Sequence, residues 1–102
     1  MGQIRPFDHA ALDEVIHGRI RLGVVAYLSG VEQALFAELR DVVGTTDGNL
    51  SVHLRKLENA GYTNIEKRFS NRRPQTWVSL TPSGRKAFEA WLIQIEALTS
   101  NS

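Results

Sequence analysis

The sequence predicts one α+β domain that is mainly helical, with a β-hairpin between its third and fourth helices. Three observations lead to this fold class. A chain of 102 residues with 42% apolar and 23% charged composition can bury one modest core. Four segments carry apolar residues at helical spacing, and each of the first three ends at a glycine. Residues 63–80 instead carry β-branched and aromatic residues in rough alternation, as strands do.

The first helix is expected in ALDEVIHGRIRLGVVAYLSG, residues 11–30. Gly30 is a natural C-terminal cap because glycine tolerates a left-handed conformation. His17 and Gly18 are a candidate break that would divide this helix into two pieces. The apolar residues at helical spacing are Ile16, Ile20, Val24, Tyr27 and Leu28.

A second, short helix is expected in EQALFAELRDVVG, residues 32–44. Phe36, Leu39 and Val43 share one face of it, and Gly44 is its stop. Residues 32–34 leave room for no more than a short strand before this helix.

The third helix is expected within TTDGNLSVHLRKLENAGY, residues 45–62. The Thr46 side chain can accept a hydrogen bond from an exposed backbone N–H, and Asp47 in the first turn complements the helix dipole. Steps of four, three and four define an inward stripe of Leu50, Leu54, Leu57 and Gly61. The opposite, polar face consists of Gly48, Asn49, Ser51, Val52, Arg55, Lys56 and Asn59.

The segments TNIEKRF and QTWVSL are expected to form an antiparallel hairpin joined by SNRRP. Ile65, Val78 and Leu80 suit its inner face. Thr81 and Pro82 then open the last helix, as a capping residue followed by the amino acid best suited to a first helical position. The broad apolar stripe of this helix consists of Phe88, Trp91, Leu92, Ile95 and Leu98.

Positive charge is concentrated in the middle of the chain, although the formal net charge is only +1. Residues 51–80 hold six Lys/Arg and two Asp/Glu, whereas residues 1–50 hold four and seven, and residues 81–102 hold two and two. The middle segment is therefore +4. Such clustering favours a polyanionic partner, and a solvated face with spare basic side chains is the alternative explanation.

The order helix, short strand, helix, helix, hairpin, helix is that of the winged helix-turn-helix. The stretches LFAELRDVVGTTDGNLSVHLRKLENAGY, IEKRF, RRPQT and VSLTPSGRKAF resemble the winged-helix transcriptional regulators related to the MarR and ArsR groups. The resemblance covers roughly residues 12–98, and TDGNLSVHLRKLENAGY is its most specific part. Two features depart from it: Leu35 stands where a Ser or Thr cap is usual, and Thr63-Asn64 replaces a more apolar strand start.

The resemblance implies one winged-helix DNA-binding domain over residues 1–102. Its helix-turn-helix lies at about 35–60, its wing hairpin at about 63–80, and an added C-terminal helix, used for dimerisation, at about 82–98. It also makes the third helix the recognition helix and the hairpin a basic wing.

A helix of ordinary diameter fits the major groove of B-DNA, where short side chains allow close approach and longer ones reach base edges. Gly48 suits close approach, Val52 a thymine methyl, and Arg55 a base edge or phosphate. The wing suits phosphates or a narrow minor groove. Polar helix faces and basic turns also occur simply because they meet water. The predicted DNA-binding residues are Thr46, Asp47, Gly48, Asn49, Ser51, Val52, His53, Arg55, Lys56, Lys67, Arg68, Arg72 and Arg73.

The flanking helices carry more apolar surface than so small a core can use, which predicts a twofold dimer. A dimer would present two recognition helices to a pseudo-palindromic operator with half-sites about one helical turn apart. The alternative is that the last helix folds back over its own domain. The residues expected at the dimer interface are Leu12, Val15, Ile16, Phe88, Trp91, Leu92, Ile95 and Leu98.

Metal, cofactor and catalytic sites are not predicted. His9, Asp13 and His17 would share one helical face that can hold zinc, but no further His or Cys is nearby to complete a site. His53, at the edge of the third helix, suits a phosphate contact or a packing role. The lack of cysteine excludes a thiolate nucleophile. No nucleophile motif, phosphate-binding loop or acid/base carboxylate pair is recognised, so we expect no enzyme activity.

We expect a DNA-binding transcriptional regulator in the cytoplasm, most simply a repressor that blocks a promoter by occupancy. The lack of cysteine, of a long apolar run and of a signal peptide supports that location. Two other functions stay open at this point. One is a winged-helix module that binds protein instead of DNA. The other is a sensor of a small-molecule effector between the flanking helices near Tyr27 and Trp91, although the sequence identifies no effector.

Overall fold

The computed structural model describes residues 13–100, and its elements follow the predicted order. They are α1 (Arg19–Ser29), β1 (Ala34–Leu35), α2 (Phe36–Val43), α3 (Asp47–Asn59), β2 (Thr63–Ser70), β3 (Arg73–Leu80) and α4 (Pro82–Ser100). The strands form one antiparallel sheet in the order β1-β3-β2. This arrangement confirms the α+β, mainly helical winged-helix fold.

The start and end of α1 are set by two glycines. Gly18 has a positive φ of 153°, and the helix begins immediately after it, at the break expected at His17-Gly18. The helical piece expected before that break is wrong for the described residues 13–17, which contain a turn but no helix. Gly30 ends α1, but at a φ of −100°, so the left-handed cap expected there is wrong. Gly44 adopts that conformation after α2, with a φ of 65°.

The core is built from one face of each of the first three helices and the inner face of the sheet. The predicted inward stripe of α3 is confirmed for Leu50, Leu54 and Leu57, which are almost completely buried. It is wrong for Gly61, which is exposed and lies beyond the end of the helix. The three leucines form one cluster with Ile20, Val24, Val25, Leu28, Ala34, Leu39, Val43 and Val78. Packing on both neighbouring helices therefore fixes which side of α3 faces outward.

The two helices of the helix-turn-helix start in different ways. Leu35 has no side-chain acceptor, so the start of α2 relies on Glu38, whose Oε1 accepts from the Leu35 N–H at 3.3 Å. Tyr27 of α1 donates its hydroxyl proton to the other oxygen of that carboxylate. Before α3, the Thr46 Oγ1 accepts from the Asn49 N–H at 3.2 Å, which confirms the predicted cap.

The hairpin turn is tighter than the five-residue SNRRP segment suggested. β2 and β3 pair out to Ser70 and Arg73, which leaves only Asn71 and Arg72 in the turn. Both have positive φ, 52° and 65°, as in a two-residue type I′ turn. Glycine is usual at the second of these positions, so Arg72 carries a backbone cost of about 1 kcal/mol.

α4 starts against the base of the hairpin. The Thr81 Oγ1 accepts from the Gly84 N–H at 2.9 Å, which confirms the predicted cap, and the same hydroxyl donates to the Gly61 carbonyl at 2.6 Å. The Thr81 N–H donates to the Tyr62 carbonyl at 2.9 Å. Gly84 approaches Tyr62 so closely that a Cβ added to it would lie 2.2 Å from the Tyr62 carbonyl oxygen. The position of α4 therefore depends on glycine at residue 84.

Replacing Gly84 with alanine should destabilise the domain. The new methyl group would meet the Tyr62 carbonyl oxygen at 2.2 Å and the Leu80 Cδ1 at 2.9 Å. A backbone oxygen cannot swing aside as a side chain can, and such overpacking costs about 1–3 kcal/mol. Denaturant unfolding followed by circular dichroism measures the loss in the free energy of unfolding.

Gly48→Ala is the matched control, because nothing lies within 4 Å of a Cβ added at that helical position. Its free energy of unfolding should be unchanged or up to about 1 kcal/mol higher. Equal stability of Gly84→Ala and the wild type would contradict the close contact at Tyr62.

Candidate nucleic-acid interface

The outer face of α3 is not covered by any other part of residues 13–100. Every residue of its predicted polar face is exposed, including Val52 at 55%. Nothing lies within 4 Å of a Cβ atom added at Gly48. The face starts with short side chains and continues with basic ones: Gly48, Asn49, Ser51, Val52, Arg55, Lys56 and Asn59. Together these residues form a continuous exposed surface that could enter a groove of a partner molecule.

Two predicted DNA-binding residues at the start of α3 also hold the helix-turn-helix together. The Thr46 hydroxyl is the helix cap described above. The Asp47 carboxylate accepts from Arg40 Nη1 at 2.9 Å, while Arg40 Nε donates to Asp41 at 3.1 Å. These contacts join α2 to the first turn of α3. They also place a positive charge between the carboxylates of Asp41 and Asp47 at this end of α3.

His53 lies on the side of α3 that meets α1. Its Nδ1 is 3.0 Å from Arg21 Nη1, and because a guanidinium only donates, the neutral ring accepts there and carries its proton on Nε2. Arg21 also donates to the carbonyl oxygens of Val15 and Glu14, at 2.7 and 3.4 Å. Burial, and then the charges of Arg21 and Lys56, lower the pKa of His53. This contact supports the packing role over the phosphate contact.

The predicted cations of the wing differ in their surroundings. Arg68 donates to Glu66 at 2.8 Å and to Gln33 at 3.0 Å, and its guanidinium carbon lies 5.3 Å from the ring centroid of Trp77. Arg68 is therefore already engaged on the outer face of the sheet. The remaining three are exposed and form no ion pair with other residues of the described chain: Lys67, Arg72 and Arg73.

α3 and the wing border one open cleft. Its lining comprises Phe36, Ser51, Leu54, Arg55, Glu58, Ile65, Lys67 and Thr76. The structure therefore brings together residues predicted from two separate segments, with Ser51 and Arg55 on one side and Lys67 on the other. Arg72 and Arg73 lie further out at the turn, and His53 does not line the cleft.

Three arginines of the first half of the chain have structural partners that the sequence did not reveal. Arg19 Nη1 donates to the Val43 carbonyl at the end of α2, at 3.2 Å. Arg21 joins residues 14–15 to His53, and Arg40 joins α2 to α3. The partners in α2 and α3 lie 24, 32 and 7 residues away along the chain, so no local spacing rule could have identified them.

The residues expected at a dimer interface near the start of the chain are mostly internal. Ile16 is fully buried, so the expectation that it leaves an exposed patch is wrong: its own domain already covers it. Val15 is partly buried against the core. Leu12 lies outside the described residues.

α4 is more exposed than the start of the chain. Phe88 packs against the core and stacks on Trp91 with ring centroids 6.4 Å apart, and Ile95 is half-buried. Beyond Phe88, three large apolar side chains meet solvent: Leu92 at 45%, Ile93 at 65% and Leu98 at 43%. Ile93 was missed because it lies off the predicted stripe.

Asp13 and His17 are joined by a single backbone turn, in which the His17 N–H donates to the Asp13 carbonyl at 2.8 Å, and no regular helix continues from it. The Asp13 carboxylate accepts from the Val15 N–H at 2.9 Å and from the Tyr62 hydroxyl, which raises the pKa of Tyr62 to about 12. His9 lies outside the described residues. Within residues 13–100 there is no cluster of metal-binding side chains, and no helix long and apolar enough to cross a membrane.

An exposed polar α3 after a short helix, followed by a basic hairpin and a long last helix, defines a winged-helix protein. The family described as the winged helix DNA-binding domain matches residues 20–99, and the chain belongs to that family.

The chain is further similar to one protein in sequence and to transcriptional regulators in structure. The chain is 33% identical over 88 residues to the uncharacterized protein MJ0432 of Methanocaldococcus jannaschii, covering 86% of this chain and 96% of the relative. A transcriptional regulator homologue from Pyrococcus horikoshii OT3 superposes with a TM-score of 0.82 at 28% identity, over 87% of this chain and 88% of that one. A MarR-family transcriptional regulator from Enterococcus faecalis V583 has a TM-score of 0.74 at 24% identity, over 84% and 77%. The fold is MarR-like, and the class is that of DNA-binding transcriptional regulators.

Acidification should destabilise the protein partly through His53. The pKa of His53 is lowered in the folded state, so the unfolded chain binds a proton more readily. The stability linked to this group is therefore complete above a pH of about 6.5 and is lost as the pH falls from there through the folded-state pKa. Protonation also removes the acceptor for Arg21 and sets two cations against each other.

Denaturation midpoints at about pH 7.5 and about pH 5.5 measure this effect in the wild type and in His53→Gln. Glutamine keeps an acceptor but does not titrate, so the variant should lose less stability on acidification. The other histidines are the same in both proteins. A similar loss in both would show that His53 is not responsible.

Proposed function

We propose that this protein is a sequence-specific regulator of transcription that binds double-stranded DNA as a homodimer and represses by occupying promoter DNA. In this proposal α3 reads base edges in the major groove, and the wing contacts the adjacent minor groove or its phosphates. The observation that carries it is the uncovered polar face of α3 beside three exposed wing cations that have no ion pair within the described residues.

The dimensions and chemistry of α3 support major-groove binding. A helix with its side chains is about 10–12 Å across, and the major groove is about 12 Å wide. Gly48 and Ser51 permit close approach of the backbone. The Asn49 amide suits an adenine edge, the Val52 methyl groups suit a thymine methyl, and the Arg55 guanidinium suits guanine or a phosphate.

The charge distribution of the wing supports a contact to phosphates. Lys67 faces the cleft beside α3, while Arg72 lies in the turn and Arg73 at the start of β3. Arg72 occupies a backbone conformation that glycine adopts more easily. A residue other than glycine at such a position points to a use for its side chain outside the fold. A guanidinium in the minor groove or on its phosphates would be such a use.

The exposed second half of α4 supports a homodimer. Leu92, Ile93 and Leu98 leave apolar surface in solvent on a helix that extends past the core. Burial of that surface against the same helix of a second copy would give a twofold interface. Two copies of α3 would then face two half-sites of a pseudo-palindromic operator.

Two pairs of substitutions distinguish general affinity for DNA from preference for a particular base sequence. Arg72→Gly and Arg73→Ala should weaken binding to every duplex and each lower the salt slope by about one, because phosphate contacts act through counterion release. Asn49→Ala and Val52→Ala should instead change the preferred sequence, by about 1–3 kcal/mol at the base pair affected. Selection of bound sites from random fragments, followed by titrations at several salt concentrations, measures both effects.

Arg72→Gly is preferred to alanine at that position because glycine tolerates the positive φ, so weaker binding would not reflect misfolding. Val42→Ala is the control, since Val42 is exposed on α2 and belongs neither to the polar face of α3 nor to the wing. No enrichment of any sequence by the wild type, at low salt as well, would reject DNA binding. A protein-interaction module would then be the better description.

The homodimer is tested by replacing Leu92 and Leu98 together with serine. Both side chains are already exposed, so the fold should remain, but the lost apolar contact should raise the dimer dissociation constant at least about tenfold. Sedimentation equilibrium across micromolar concentrations measures it, with Val42→Ser as an equally exposed control. A wild type that sediments as a monomer at these concentrations would exclude the dimer.

A further inference from the structure

Phe69 near the end of the wing contributes nothing to the core of the domain. Its side chain is 79% exposed, more than any other large apolar residue in the described part of the chain. Its partner across the hairpin is Pro74, which is exposed as well. Neither belongs to the core or to the residues packed against it. The fold alone therefore does not explain an aromatic residue at this place.

Strand geometry puts Phe69 on the face of the hairpin that borders α3. Side chains alternate along β2, so Ile65, Lys67 and Phe69 share one face. Ile65 packs against the core and Lys67 lines the cleft beside α3. Phe69 comes next towards the turn, whereas Arg68 lies on the other face with Trp77. The Phe69-Pro74 pair is the outermost part of the surface that continues from the cleft.

The length of the hairpin matches the spacing of grooves. Four residues at roughly 3.3 Å each carry Phe69 about 13 Å beyond Ile65, the last residue of β2 that packs on the core. The major groove is about 12 Å wide. If α3 lies in the major groove, a hairpin that extends about 13 Å beyond the core is long enough for its end to pass the neighbouring phosphates and meet the minor groove.

The surroundings of Phe69 favour DNA over a protein surface. Residues 67–75 contain four basic residues and no acidic one. Lys67 lies on the same face, and Arg72 and Arg73 occupy the turn and the strand start beside it. An apolar centre bordered by cations fits the minor groove, where sugar and base edges lie between two rows of phosphates.

We propose that Phe69, supported by Pro74, inserts as an apolar wedge into the minor groove and bends the bound duplex. This inference rests on the proposed DNA-binding function and adds to it a means of reading sequence through deformation. Apolar wedges partially unstack a base step and bend DNA toward the major groove by about 20–90°. Pyrimidine–purine steps such as TA and CA unstack most easily. Phe69 therefore selects such steps under the wing without making a hydrogen bond.

The experiment uses a duplex that the wild-type protein selects from random fragments. Energy transfer between dyes on the two duplex ends reports the bend, and 2-aminopurine at the step under the wing reports unstacking. The wild type should bend this duplex by about 20° or more. Phe69→Ala should lose most of the bend and of the unstacking signal. Its binding should be only roughly tenfold weaker, because the smaller free-energy cost of deforming the DNA partly offsets the loss of the wedge contact. Phe69→Leu, which stays apolar, should retain part of both signals.

Arg73→Ala is the matched control from the same hairpin. It should lower the salt slope by about one and keep the bend, whereas Phe69→Ala should leave the slope unchanged because it removes no phosphate contact. Phe69 is mostly exposed, so unchanged thermal melting of its variants is expected and confirms that they fold.

The outcomes separate the wedge from the function on which it rests. A wild-type complex with straight DNA, or an equal bend with Phe69→Ala, overturns the wedge and leaves DNA binding intact. A wild type that binds no duplex overturns both. An unchanged bend together with altered self-association of Phe69→Ala would assign the exposed pair to a protein contact and also reject the wedge.

Discussion

The burial of Leu50, Leu54 and Leu57 is the constraint on which the rest of the structure depends. Three leucines on one stripe leave α3 a single way to pack against α1 and α2. A rotation of the helix by one residue, about 100°, would bring polar side chains into the core and leucines into water. The face that carries Asn49 and Ser51 points outward because the leucine stripe on the other side of α3 is buried in the core. The Thr46 cap and the Arg40–Asp47 pair fix where the helix starts.

The division of the basic residues follows from the same constraint. In the first half of the chain, Arg19, Arg21 and Arg40 donate to groups within the domain and hold α1, α2 and α3 together. In the wing, the outward strand face holds Arg68 on Trp77, while the cleft face and the turn leave their cations in solvent. Of the six basic residues that the sequence concentrates in residues 51–80, the five other than Arg68 are therefore exposed on α3 and the wing.

Local patterns were sufficient for the elements and for the exposed face of α3, because caps, glycine stops and apolar periodicity act over a few residues. Contacts between distant residues were not accessible in this way. The sequence does not show that Arg21 meets His53, or that Gly84 touches the Tyr62 carbonyl. The exposure of a side chain depends on such contacts too. Ile16 is apolar, as many interface residues are, but its own domain covers it completely. The apolar character of Phe69 was visible, but its exposure required the strand register.

Tyr62 joins elements that would otherwise be independent. Its N–H donates to Leu57 at the end of α3, its carbonyl accepts from Thr81 at the start of α4, and its hydroxyl donates to Asp13. With β2 beginning one residue later, α3, the hairpin and α4 are joined at one residue. In the proposed dimer, the crossing angle between the two copies of α4 would then determine how far apart the two copies of α3 lie. A ligand or mutation that altered that angle would change the half-site spacing that the proposed dimer tolerates, without touching a residue of the proposed DNA-binding surface.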